Sequence, residues 1–178
     1  MKKKNQKGFT LVELLVVIAI IGILAVVAVP ALFKNINKAK VADLQADYSA
    51  FKSASLSYYT DKNDYPDIDT IAEYMESVPG KSPLATDGEY TIETVTVDAQ
   101  VGKEGSESLA LVATENKISE DQADKLIKEF GVVVGTVTGE ADSRKFEKGT
   151  KESLTDESSD IALLLIKNTE SIPALSEE

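Results

Sequence analysis

Lys7-Gly8-Phe9-Thr10-Leu11-Val12-Glu13-Leu14 forms the junction between a lysine-rich start and the most apolar stretch of the chain. From Leu14 to Phe33 no side chain is charged, which matches the roughly 20 residues a helix needs to cross a bilayer. The Val and Ile in this run do not argue against helix. A lone segment in lipid must satisfy its own backbone, and only a helix does that. Lys2, Lys3, Lys4 and Lys7 precede the run, which predicts a cytoplasmic start and an extracytoplasmic body. Two ordinary readings compete here, a signal-anchor that keeps the segment and a cleaved secretory signal. The second needs small residues after a short apolar core, and Val26 with Ala28, or Val29 with Ala31, loosely supplies them. Against it stand the length of the run and the acid at Glu13.

An acidic side chain deep in a bilayer costs roughly 2.5–3.5 kcal/mol, and less near the edge. Glu13 lies about one turn inside the apolar segment. It is either a tolerated edge residue or a charge waiting for a positive partner.

The lysine-rich start, Gly8, Phe9, a Glu four residues after the Phe, and the apolar helix together resemble the type IV pilin precursor signature. The resemblance covers about the first 35 residues. It implies that a dedicated prepilin peptidase cuts on the cytoplasmic face between Gly8 and Phe9, leaving the helix on the mature protein. It implies, further, that the same enzyme N-methylates the new amine of Phe9. The physics suits the scheme. Gly8 leaves an uncrowded backbone for the peptidase. The amine of Phe9 can pair with Glu13 of a neighbouring subunit, and such a pair specifies register more than it adds stability. Gly22 and Pro30 interrupt the same helix, and Pro30 removes one helix hydrogen bond. Both are common in membrane helices; the resemblance instead implies local unwinding between them in a packed filament.

Beyond Pro30 the pattern stays helical. Val41, Leu44, Tyr48, Phe51 and Tyr58 form one apolar stripe among polar residues, which predicts a continuous helix from Phe9 to Thr60. Asp61 to Asp69 reads as a turn-rich break. Its carboxylates (Asp61, Asp64, Asp67 and Asp69) miss the calcium-loop spacing and its glycine, so solvated turn residues are preferred to a metal site. Thr70 with Glu73 predicts a capped short helix to Ser77, and Ser119 with Gln122 a second one to Phe130, ended by Gly131. Strands are predicted at Glu89–Val97, Ser108–Thr114, Val132–Val137 and Ile161–Lys167. The stretch from Glu140 to Asp160 reads as a solvated loop. Its lysines Lys145, Lys148 and Lys151 are offered as solvated side chains or as a contact to an acidic neighbour. The tail after Ser171 reads as loose.

The fold class expected is therefore α+β and type IV pilin-like. A long N-terminal helix, its apolar half spanning the membrane, packs on a four-stranded, mostly antiparallel sheet. The organisation expected is a leader at 1–8, a membrane and filament-core helix at 9–33, its amphipathic half at 34–61, and a globular head at 62–178. The family often carries a C-terminal disulfide, and this chain departs from that because it has no cysteine. Pilins of Gram-positive bacteria often lack the bond.

Composition narrows the functions. Without Cys or His, Cys-His nucleophiles and Cys/His zinc sites are excluded, and no phosphate-binding fingerprint appears. No catalytic residues, metal or cofactor are called for. The net charge of −11 becomes −15 once four leader lysines are lost, which disfavours direct nucleic-acid binding. The resemblance implies a structural subunit, best read as a major pilin of an extracellular pilus serving adhesion, surface motility or biofilm formation. Its implied partners are further copies of itself in a helical homopolymer, the prepilin peptidase and N-methyltransferase, the pilus assembly platform, and the membrane before assembly. The alternatives are a type II secretion pseudopilin, a minor pilin, a competence pilin, an anchored enzyme, or a secreted soluble binding protein.

Overall fold

A computed structural model describes residues 8–85, 87–139, 143–156 and 159–167. The leader lysines Lys2, Lys3, Lys4 and Lys7 and the tail after Ser171 lie outside the described residues. The chain divides into two compact units, Met1–Asn37 and Lys38–Glu178. Helix α1 runs from Leu11 to Lys62, close to the predicted span.

In the first unit, every large apolar side chain from Phe9 to Phe33 is exposed. A helix that is hydrophobic all round needs an apolar surrounding. At about 1.5 kcal/mol or more for each such side chain buried, the deficit is on the order of tens of kcal/mol.

The second unit has a core of its own. Val41, Leu44, Tyr48 and Phe51 are buried along α1, as the periodicity predicts. Ala54 joins them. Tyr58, the last of the predicted stripe, is only half-buried and meets Tyr74 edge-on, with ring centroids 5.4 Å apart. Five strands follow: β1 (Tyr90–Val97), β2 (Ser106–Ala113), β3 (Val134–Thr138), β4 (Lys145–Lys148) and β5 (Asp160–Ile166). Their spatial order is β1-β2-β5-β3-β4, and a parallel pairing of β4 with β1 closes the sheet into a barrel. All other pairings are antiparallel.

The expectation of four strands is thus corrected to five. The added strand lies in the segment read as a solvated loop. Lys145, Glu147 and Lys148 are exposed and hide the signal; Phe146 alone is buried, and completely. Its ring lies against Gly135 of β3, where a Cβ would collide with both the ring and the Glu147 carbonyl. The barrel interior is filled by Val95, Val97, Ala110, Val112, Val137, Phe146, Ala162 and Leu164. The opposite faces of the same strands, with Ile92, Leu109, Leu111, Ile161 and Leu163, pack in one cluster with α1. β5 is apolar on both faces and pairs with β2 on one side and β3 on the other, so each face feeds one of the two clusters. Arg144 stands at the closing seam. Its carbonyl accepts from the Thr96 amide at 3.0 Å, and its guanidinium lies 3.3 Å from both Glu93 and Asp160.

Helix α2 (Glu120–Phe130) starts as predicted. The Ser119 N–H donates to Gln122 Oε1 at 2.9 Å, and Gly131 follows at φ +60°. It presents Ala123, Leu126 and Phe130 to the core. A single 3-10 turn over Gly131–Val133 delays β3 to Val134, two residues later than predicted. The polar stretch also contains a short helix α3 (Lys151–Thr155), capped by Thr150 and anchored by buried Leu154. Lys151 pairs within the chain, at 3.1 Å from both Glu120 and Asp124. The predicted cap at Thr70 is corrected too. Thr70 opens a 3-10 turn to Tyr74, but the capping acceptor is Asp67, which takes the Thr70 N–H and hydroxyl at 2.7 Å each. An Asp in a turn competes well for nearby amides, and here it acts three residues earlier than expected.

Phe146→Ala should cost roughly 3–5 kcal/mol of stability, as for other buried aromatics. Thermal or denaturant unfolding of the full chain in detergent would measure it. Unchanged unfolding would mean that β4 does not close the barrel.

Candidate assembly site at the start of the long helix

Gly8 and Phe9 precede α1 in non-helical backbone; Phe9 is 91% exposed, and among the described residues nothing lies within 4 Å of where a Gly8 Cβ would be. In this uncut chain the Phe9 nitrogen is an amide. An α-amine exists there only after cleavage.

Thr10 is the residue that pattern reading passed over. Its N–H and its hydroxyl both donate to Glu13 Oε2, each at 2.8 Å, and the Glu13 N–H donates back to Thr10 Oγ1 at 3.2 Å. The pair is a capping box that satisfies two of the unpaired donors at the helix start. The Leu14 amide then reaches the Thr10 carbonyl at 3.3 Å to close the first turn. A Thr-x-x-Glu pattern just before an apolar run was the available signal. Glu13 thus has a local role beside the one expected from its charge. Its Oε1 makes no protein hydrogen bond among the described residues, which leaves one oxygen for a cation from outside. The negative carboxylate also complements the positive end of the helix dipole.

Gly22 and Pro30 lie farther along α1, away from this cap. The helix passes through both without a break, and among the described residues nothing packs on Gly22. The helix start therefore brings together Phe9, Thr10 and Glu13, and neither Gly22 nor Pro30.

The acidic turn after α1 uses its carboxylates locally. Asp61 accepts from the Tyr74 hydroxyl at 3.1 Å, and Asp64 from the Tyr65 amide at 2.8 Å. The bonds from Thr70 hold Asp67 below its usual carboxylate range. Among the described residues no three His, Cys, Asp or Glu side chains are grouped as metal ligands. On the head, burial pushes Asp47 up despite the 3.0 Å bond that it accepts from Tyr90. Tyr90 is pushed up in turn, by burial and then by that carboxylate. The pair ties α1 to β1.

Residues 3–29 match the prokaryotic N-terminal methylation motif, and residues 35–105 match the PilW C-terminal family. The chain is similar to fimbrial protein EcpC of Eikenella corrodens, at 36% identity over 65% of this chain and 80% of that one. It is 38% identical to the type II secretion system core protein G of Klebsiella michiganensis, over 48% of this chain and only 60% of that one. Among solved structures, the major type IV pilin PilA1 of Clostridium difficile superposes with a TM-score of 0.58 at 29% identity. That match covers 75% of this chain and 99% of that one. The long helix followed by a sheet matches the type IV pilin fold.

Thr10→Val should remove the hydroxyl half of the cap and cost about 1 kcal/mol at the helix start. Thr10→Ser should keep it. Amide hydrogen exchange at Leu11–Leu14 in micelles would report the difference, and equal protection in both variants would contradict the capping role.

Proposed function

Because this chain belongs to the type IV pilin family and is a pilin-type structural subunit, we propose that it is the major pilin of an extracellular type IV pilus. The observation that carries this reading is the wholly exposed apolar half of α1 behind an open Gly8–Phe9 bond. Such a helix has two suitable surroundings, a bilayer and the apolar core of a filament. A precursor stored in the membrane and later withdrawn into a polymer uses both.

In this reading residues 1–8 are the leader, which the prepilin peptidase removes on the cytoplasmic side. Residues 9–33 span the membrane and then line the filament axis. Residues 34–61 continue the helix, and 62–178 form the head. The freed, methylated amine of Phe9 meets Glu13 of the adjacent subunit. Thr10 already holds that carboxylate by one oxygen, so little side-chain freedom is lost when the amine arrives. The pair makes each wrong register costly, since either charge alone would be buried without a partner. Gly22 and Pro30 allow the helix between them to loosen as subunits pack. The chain acts as a scaffold and not as an enzyme, and the pilus it builds serves adhesion, surface motility or biofilm formation.

A second reading has a specific observation behind it. The likeness to core protein G of a type II secretion system fits a pseudopilin with the same helix chemistry. Deleting the gene separates the two, because a pilin is needed for surface fibres and a pseudopilin for protein release.

Intact mass and N-terminal sequencing of protein from cells that make it should find methylated Phe9 at the start. A start after Ala28 or Ala31 would mean ordinary secretion and end the filament reading. Replacing Gly8 with a bulky residue should leave uncut precursor in the membrane, as blotting of membrane fractions would show. Glu13→Val should fold and insert normally but weaken assembly by about 3–5 kcal/mol per contact; normal fibre yield from this variant would remove Glu13 from the mechanism.

A further inference from the structure

Two features of the chain are unused by the helix-start chemistry. The first is a basic turn on α1. Lys34 and Lys38 are exposed, four residues apart on one face, and neither has a carboxylate partner among the described residues. Like charges at that spacing disfavour a helix. They also sit just past the far end of the apolar span, where lysine opposes the orientation that the leader lysines set. Their presence calls for an anion that is met after insertion.

The second feature is a groove of about 670 Å³ in the head unit, lined by Ala50, Ser53, Ala54 and Ser57 of α1 and by Tyr74 and Glu76. Small side chains keep its floor shallow enough for another helix to approach. Glu76 is its acidic lining residue, and Asp61 lies in an adjoining depression that shares Ser53, Ser57 and Tyr74 with it; both carboxylates are exposed.

We propose that the Lys34–Lys38 turn of one subunit docks into the acid-rimmed groove of Ala50, Ser53, Ser57 and Glu76 on a second copy of this chain. The contact rests on the filament reading above and supplies what that reading lacks, a specific surface outside the apolar core. It joins two different patches, so it is heterologous and repeats without closing, as an open helical polymer requires. Lysine suits the site because its alkyl stem lies along the small-residue floor while the ammonium reaches the acidic rim. Charge complementarity of this kind sets register and speeds encounter, and it weakens as salt rises. The rival anion is a lipid headgroup, which meets the same lysines while the precursor waits in the membrane.

The chain has no cysteine, which makes disulfide trapping clean. Full-length Lys38→Cys/Ser57→Cys protein, oxidised in intact filaments, should give a ladder of linked multimers on a denaturing gel. Each single variant should give nothing above a dimer. Lys34→Glu/Lys38→Glu should lower sedimentable polymer at least tenfold, and adding Asp61→Lys/Glu76→Lys should restore it. Filaments whose double-cysteine subunits stay monomeric overturn the docking and leave the filament reading intact. Full polymer yield from the lysine-reversed variant does the same. If that variant instead loses binding to phosphatidylglycerol vesicles and no ladder forms, the lysines serve lipid and the proposal fails. Wild-type protein that is cut at Phe9 yet gives no sedimentable polymer removes both readings together.

Discussion

Among the described residues no large apolar side chain between Phe9 and Phe33 is buried, and that unburied helix is the constraint on which the molecule turns. The hydrophobic effect grows with apolar area removed from water. Such a helix is satisfied only by an apolar surrounding. Everything charged near its start has to be compatible with that. Thr10 and Glu13 meet this need by satisfying each other, so that an acid at the edge of an apolar segment also caps the helix that carries it.

The second unit has a core of its own, with two layers of burial on one sheet. One face packs on the amphipathic half of α1 and on α2; the other curls around a small interior of its own. No disulfide contributes, since the chain has no cysteine. Closure of the barrel takes over the task of tying the late segments to the early ones. The parallel pairing of Lys145 and Phe146 with Thr96 and Val97 joins β4 to β1, and Arg144 reaches from that seam to carboxylates on β1 and β5.

The strong acidity of the chain fits this division of labour. Excess like charge keeps exposed heads apart in solution and suppresses nonspecific association. Association then has to run through surfaces that are apolar or locally basic. The exposed apolar helix is one such surface.

The residues that decided class and chemistry were local in sequence and therefore legible. Gly8, Phe9, Glu13 and the uncharged run form one contiguous signal. The stripe from Val41 to Phe51 repeats at helical period, and Ser119, Gln122 and Gly131 bracket α2 with standard chemistry. Where sequence reading fell short, the deciding contact was distant or one-sided. Strand β4 buries a single residue among lysines, so no alternation marks it. Only the pocket beside Gly135 and the β1 edge make a strand of it. The cap at Thr70 went to Asp67 because side-chain acceptors in a turn compete, and geometry picks the winner. Lys151 looked free until folding brought Glu120 and Asp124 beside it. The apolar helix, the N-terminal methylation motif and the α+β class were legible from the residues alone, because periodicity and charge act over a few residues. Tertiary structure alone decided the fifth strand, the closed barrel and the acid-rimmed groove, because each depends on residues far apart in the chain meeting in space.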